Sequence, residues 1–432
     1  MSHKPTVSFY TLGCRLNQSE TAVLERSFEA KGFSVAAEGH PADIVIINTC
    51  TVTENGDTDT RRLVNKVNRL NPHARIALIG CQAQVQKERL LALPNVRWVV
   101  GNARKMDMVC IVQEENENGR RLITPPIPRE SFALPAAGID RRHARANIKI
   151  QDGCDFFCSF CEIPYARGRA RSRKFDNILW EAEALASAGH KELVVTGINV
   201  GTYSDKGHGL LDVIEALEQI AGLERIRISS IEPTTVPGAL LKKMAGRTKL
   251  CRHLHMPLQS GSDKTLREMK RRYSVQEFKD FIRKAVRMVP GICIGTDLIV
   301  GFPGETEEDF EASVQCLKEE PIHYAHVFSY SPRSSARSRQ LPAPVPQRVV
   351  QERSRLLRDL SGRKRRVFYE SLIGTRQKVL FEQKKEGHWI GVTDNYVRMR
   401  ARSERHLANQ WMGVDLAEID GQAVRGVLSA AG

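Results

Sequence analysis

Short apolar runs alternate with amphipathic stretches over two long blocks of this chain, and that beat leaves few folds open. In the first hundred residues, 6–12 (TVSFYTL), 43–47 (DIVII), 75–79 (RIALI) and 96–100 (VRWVV) read as strands. DIVII shows no polar alternation, the mark of a strand covered on both faces. Asn17-x-x-Glu20 and Thr51-x-x-Glu54 read as capping boxes that open helices between the strands. Leu63, Val67 and Leu70 give the second helix an apolar stripe. Such alternation predicts a parallel sheet joined by right-handed crossovers.

The rhythm breaks over 113–146, where acidic, proline-rich and basic pieces carry no sustained period and read as a linker. It resumes with six strand candidates: 148–150, 193–197, 226–230, 253–256, 292–300 and 326–330. A helix from Phe175 turns Ile178, Leu179, Ala182 and Leu185 inward and stops at Gly189. Six β/α units close a full or partial barrel, with the active site at the strands' C-terminal ends. A flat doubly wound sheet is the alternative that periodicity leaves open. A basic helical stretch follows at 345–370, and the last sixty residues hold short runs between turns that read as a small β-barrel. The expected division is 4–112, a linker at 113–139, a core at 140–370 and a small all-β unit at 371–432.

Lys plus Arg number 65 against 50 Asp plus Glu, a surplus of +15 that suits a polyanionic partner or simply a soluble basic surface. No run of about 18 apolar residues exists to cross a membrane. The first residues carry no secretory signal. The expectation is a cytoplasmic chain whose ten cysteines are reduced, and so metal ligands or small buried apolar residues.

Three of them, Cys154, Cys158 and Cys161, form C-x3-C-x2-C directly after a strand. Soft sulfur at that spacing favours iron–sulfur or zinc. Three ligands without a local fourth leave a coordination position open, as catalytic sites do. Cys14, Cys50 and Cys81 are too far apart for a local motif. Each, however, lies just past the end of a predicted parallel strand, and in an open α/β sheet those ends share one ligand-binding edge. Cys110, Cys251, Cys293 and Cys316 read as ordinary residues.

The triad segment, with Phe160 before its last cysteine, resembles radical S-adenosylmethionine enzymes. Together with TLGCRLNQSET, the strand-end Cys50 and Cys81, and HLHMPLQSGSD, it resembles the methylthiotransferase family over almost the whole chain. The resemblance implies an N-terminal parallel α/β domain, a central radical-SAM partial (β/α)6 barrel and a C-terminal TRAM barrel that binds RNA. It implies two [4Fe-4S] clusters, one on each cysteine trio. The cluster on Cys154, Cys158 and Cys161 would chelate S-adenosylmethionine and cleave it to methionine and a 5′-deoxyadenosyl radical. The other would supply or dock sulfur. SSIEP (229–233) and GVTDNYVRM resemble the branch acting on C2 of N6-threonylcarbamoyladenosine at position 37 of tRNA. The implied partners are the tRNA anticodon stem-loop, a flavodoxin or ferredoxin as electron donor, and a sulfur source. Gln82 and Glu162 depart from the family pattern beside cluster ligands.

Candidate contacts to S-adenosylmethionine are Phe160, Ser230, Glu232, Gln259, Asp297 and Gly301. For Gly301 a helix entry capped through Gly-Glu-Thr is an equal explanation. Arg363, Lys364, Arg365 and Arg366, with Arg398, Arg400 and Arg402, are candidate phosphate contacts, and Trp389 and Tyr396 candidate stacking platforms. Arg169, Arg171 and Arg173 suit a carboxylate or phosphate. The competing functions are methylthiolation of a ribosomal-protein aspartate or of N6-isopentenyladenosine in tRNA, and a non-catalytic metal-containing RNA-binding protein.

Overall fold

The computed structural model describes residues 4–51, 54–114, 119–139 and 144–429, with Glu54 and Asn55 described by their backbone alone. Among them, no helix is long and apolar enough to cross a membrane. The N-terminal unit runs β1 (Thr6–Thr11), α1 (Arg15–Ala30), β2 (Ser34–Val35), β3 (Ile44–Thr49), α2 (Glu54–Leu70), β4 (Arg75–Gly80), α3 (Cys81–Gln86), α4 (Glu88–Leu91), β5 (Val96–Val100), α5 (Met108–Gln113) and β6 (Arg121–Ile123). Its six strands are all parallel, in the order β2-β1-β3-β4-β5-β6. Every residue of β3 is buried, as an unbroken apolar run at the sheet centre requires. Phe9, Phe28 and Trp98 pack one face, and Tyr10, Ile47 and Val99 the other.

Two expectations fail here, and a third, the box at Thr51 and Glu54, falls partly outside the described residues. Asn17 and Glu20 form no capping box, because α1 already starts at Arg15. Asn17 instead donates to the carbonyls of Leu12 (2.7 Å) and Thr49 (3.0 Å), and Glu20 is wholly buried among cations. Thr51 gives its hydroxyl to Glu162 at 2.7 Å, while the Glu54 side chain lies outside the described residues. The segment read as a linker adds β6 to the sheet edge beside β5. With three residues, that strand is too short to show a period.

The core continues with β7 (Arg145–Lys149), β8 (Gln151–Asp152), α6 (Ile163–Arg167), β9 (Arg171–Ser172), α7 (Phe175–Ser187), β10 (Glu192–Thr196), α8 (Leu210–Glu218), β11 (Arg225–Ile228), α9 (Leu240–Ala245), β12 (His253–His255), α10 (Asp263–Glu268), α11 (Val275–Met288), β13 (Cys293–Val300), α12 (Glu307–Glu319), β14 (Tyr324–Ser329) and α13 (Gln347–Glu370). Two parallel ladders, β7-β10-β11 and β12-β13-β14, meet where Cys251 N donates to Ile226 O (2.8 Å) and Ile231 N to His255 O (3.1 Å). The six strands therefore follow chain order with no reversal, which selects a partial barrel over a doubly wound sheet. Among the described residues no ladder joins β14 back to β7. In α7, Ile178, Ala182 and Leu185 are fully buried with Leu179 packed beside them, and Gly189 at φ +96° ends the helix as expected.

Strands β15 (Arg376–Lys385), β16 (His388–Thr393), β17 (Arg398–Ala401), β18 (Trp411–Asp420) and β19 (Ala423–Leu428) close a five-stranded barrel. It seats on the core through buried arginines. Arg225 donates to the carbonyls of Val392 (3.1 Å) and Lys378 (3.0 Å), and Arg227 to those of Asp394 and Thr393 (both 2.9 Å). Glu192 between the two arginines balances their charge.

Candidate functional site

Strand order in the N-terminal sheet reverses between β1 and β3, and a crevice opens at such a point. Cys14 follows β1, Cys50 follows β3 and Cys81 follows β4, so all three line that edge. Gly13 presses them together. It has φ +92°, and a Cβ added there would lie 2.6 Å from Cys50 Cβ and Sγ, so no other residue fits. Cys14 is exposed at the crevice yet ringed by protein. Burial raises its thiol pKa, against the lowering charge of Arg167.

Cys154, Cys158 and Cys161 occupy the loop after β8. Burial pushes the Cys154 thiol up to about 11 and also raises Cys158 and Cys161. Each thiolate repels its neighbours, so three ionised thiols are stable there only around a cation, which is the requirement of a metal-binding trio. Arg271 Nη1 donates to Cys158 Sγ at 3.1 Å and also pairs with Glu232. Among the described residues, no three His, Cys, Asp or Glu side chains crowd closely enough for one metal ion. A zinc site needs four donors at ~2.0–2.3 Å from one metal. A cubane instead spreads its thiolates over separate irons and takes soft sulfur donors, which Cys154, Cys158 and Cys161 supply.

The segments that carry the two trios meet at a domain seam. Glu162, next to Cys161, accepts from Thr51 Oγ1 (2.7 Å), Ser334 Oγ (3.0 Å), Ser335 N (3.1 Å) and Arg333 Nε (3.3 Å). Arg333 reaches on to Asp57 at 2.9 Å. Deeper in the seam, Arg167 Nε donates to Cys81 Sγ at 3.2 Å, and Asn102 Nδ2 to the same sulfur at 3.6 Å. Arg167 also binds Glu20 and Asp152, each at 3.0 Å. Lys149 joins Glu20 (2.7 Å) to Asp152 (2.6 Å), and Lys105 pairs with Glu20. All five charges are buried. Burial raises the Glu20 carboxyl's pKa, but Arg167, Lys105 and Lys149 overrule it and hold the group ionised. Sequence reasoning misses this network. Its only trace is polar residues at helix and strand positions where apolar ones are expected.

The remaining candidates separate. Glu232 and Gln259 lie near the triad's end of the barrel, Glu232 through Arg271 and Gln259 through its bridge to Leu298. Ser230 and Phe160 are half-buried. Asp297 Oδ1 meets His255 Nε2 at 2.9 Å. Gly301 is accounted for by packing, since an added Cβ would lie 2.4 Å from Val350 of α13. The capping alternative is present beside it, as Thr306 caps α12.

Several RNA candidates must be corrected. Trp389 is 5% exposed in the barrel core, so its ring is closed to stacking. Tyr396 stacks on His253 (4.4 Å) inside the molecule. Lys364 donates to the carbonyls of Lys318 (3.1 Å) and Glu320 (2.8 Å), Arg365 covers the Tyr324 ring and Arg366 pairs with Glu370. Arg363 and Arg398 remain exposed. Arg173 is wholly buried against Glu181, so it serves no ligand. Arg169 pairs with Asp155 (2.5 Å) and Arg171 with Asp152 (3.4 Å).

Residues 148–317 match the family model "Radical SAM superfamily", and residues 6–101 match "Uncharacterized protein family UPF0004". The radical methyltransferase TsrM from Kitasatospora setae shares the fold, with TM-score 0.54 at 16% identity over 76% of this chain and 77% of that one. Fold and matched model together define a radical S-adenosylmethionine enzyme, a class that implies that cofactor and a [4Fe-4S] cluster. Among curated relatives, the threonylcarbamoyladenosine tRNA methylthiotransferase MtaB of Aquifex aeolicus is 38% identical over 93% of this chain and 98% of its own length. Its counterpart in Bacillus subtilis is 34% identical over 97% and 96%. The tRNA-2-methylthio-N(6)-dimethylallyladenosine synthase of Methylobacillus flagellatus is also 34% identical, over 97% and 98%. The chain belongs to the radical S-adenosylmethionine methylthiotransferase family.

Proposed function

We propose that this chain adds a methylthio group to C2 of N6-threonylcarbamoyladenosine at position 37 of tRNA, in the cytoplasm. The observation that carries the reading is the meeting of the triad loop with the strand ends that bear the other three cysteines. Glu162 ties the triad loop to Thr51 beside Cys50, and Arg167 ties the same segment to Cys81. Hydrogen abstraction alone needs one such loop. Sulfur insertion needs a second place to hold sulfur close to the same substrate. In this reading Cys154, Cys158 and Cys161 hold the [4Fe-4S] cluster that takes S-adenosylmethionine, and Cys14, Cys50 and Cys81 hold a second one. When bound, these groups supply the radical and the sulfur. The protein's own residues position and insulate them. Arg271 orients Cys158, Glu232 lies beside it for the cofactor, and the buried seam keeps water from between the trios. Exposed Arg363 and Arg398 suit tRNA phosphates. An electron donor such as a flavodoxin or ferredoxin, and a sulfur source, complete the requirement.

Mass spectrometry of tRNA nucleosides from a deletion strain tests this. The 2-methylthio nucleoside should vanish, return with the wild-type chain, and stay absent with Cys14→Ala or Cys158→Ala. Its persistence in the deletion strain would remove the assignment. The dimethylallyladenosine reading, which the Methylobacillus relative favours, predicts loss of a nucleoside of different mass in the same spectrum.

A further inference from the structure

A half-open cavity of about 120 Å³ lies at the partial barrel. Three parts of the chain meet there: Arg15 from α1, His253 and His255 from β12 with Tyr324 and His326 from β14, and Tyr396 from the C-terminal barrel. Arg227 also reaches it but is spent on Glu192 and barrel carbonyls. Among the described lining residues there is no carboxylate. Asp297 lies nearby but is turned to His255.

Two lining groups are incompletely satisfied. His253 is 4% exposed, its Nε2 lies 2.9 Å from the Tyr324 hydroxyl, and its Nδ1 is buried with no hydrogen-bond partner. Arg15 donates from Nη2 to the Tyr396 hydroxyl at 3.1 Å and has no carboxylate partner among the described residues. A wall of two arginines, three histidines and two tyrosine hydroxyls, with no carboxylate among the described lining residues, suits a ligand that supplies acceptors.

The cavity's lining is close in sequence to residues at both trios. Arg15 follows Cys14 directly. Ser229 on the rim is three residues before Glu232, whose partner Arg271 touches Cys158.

We propose that this cavity receives the threonylcarbamoyl substituent of the target adenosine, with Arg15 on its carboxylate; the proposal rests on the function given above. Relatives of nearly equal identity are named for a threonylcarbamoyl and a dimethylallyl nucleoside, so overall similarity does not separate the two. The cavity does. A dimethylallyl group offers no acceptor, and would leave Arg15 without a carboxylate. A site built to hydrogen-bond its substrate rejects an analogue lacking the group far more strongly than an apolar pocket rejects a misfit.

The test uses the full-length enzyme with both clusters reconstituted. Its substrates are three anticodon stem-loops carrying N6-threonylcarbamoyladenosine, the methyl ester of its threonyl carboxylate, or N6-dimethylallyladenosine. KM and kcat are measured for each. The wild type should show a KM for the free acid at least about tenfold below that for the ester. In Arg15→Gln that ratio should fall towards one. Because Arg15 adjoins Cys14, the iron content of the variant is measured alongside. If iron is lost, Tyr396→Phe takes its place, since it frees the guanidinium without touching the cysteine loop, and should lower the ratio by a smaller amount. An unchanged ratio in the variant so chosen, or a wild type that treats acid and ester alike, overturns the proposal and leaves the proposed function standing. A wild type that methylthiolates none of the three removes both.

Discussion

Cys154, Cys158 and Cys161 share one loop, whereas Cys14, Cys50 and Cys81 come from three separate strand ends. The surroundings differ in the same sense. Beside the local trio, Arg271 is balanced by Glu232. Beside the dispersed trio, Lys105, Lys149, Arg167 and Arg171 outnumber Glu20 and Asp152. Covalent spacing alone holds the first set near its geometry, so one arginine suffices to aim a sulfur. The second set is placed by the N-terminal sheet alone, and a buried ionic knot docks that sheet's edge against the core. Its excess positive charge sits against Cys81, whose sulfur accepts from Arg167 at 3.2 Å.

That contrast makes the knot the place to strike first. Glu20→Ala leaves three buried cations short of a partner and should destabilise the chain by about 3–5 kcal/mol, read as a lower denaturation midpoint under anaerobic conditions. An unchanged midpoint would mean the seam is not held by this charge. Gly13→Ala should act more locally. The added methyl meets Cys50 and the positive φ is strained, a penalty of about 1–3 kcal/mol. Iron per chain should drop to what the triad alone retains, with the triad's S-adenosylmethionine cleavage preserved. Full iron content would show that Cys50 is no ligand. Arg271→Gln should do the opposite. It leaves the strand-end trio intact and weakens the triad's cluster or its cofactor cleavage by about 10–100-fold, the usual range for a residue that orients a ligand. Equal damage to both sets of iron would erase the distinction between them.

The same distinction governs how much of the molecule is legible in its amino-acid sequence. The triad is legible because its spacing is local. The strand-end trio is legible only through the fold, since a strand boundary is a one-residue statement that three cysteines share. The six core strands and the small barrel follow from periodicity, although β18 and β19 carry too little of it to be placed. What escapes is long-range polar contact. Glu20 looks like a cap because its partners Lys149 and Arg167 lie more than a hundred residues away. Trp389 looks like a stacking surface because a tryptophan beside arginines in a short strand reads the same from inside or outside a barrel. Tyr396 misleads in the same way, as its ring points into the molecule against His253.

Arg225 and Arg227 end on main-chain carbonyls of the C-terminal barrel, atoms that cannot rotate out of the way as a side chain would. The barrel is thereby a clamp bolted to the bench, not an arm on a tether. Under the proposed function, a polynucleotide gripped by it would be presented at one fixed stand-off from the cysteine-bearing loops. The reach must then come from the nucleic acid, with the modified base swung out of its stack into the lumen while the protein holds still.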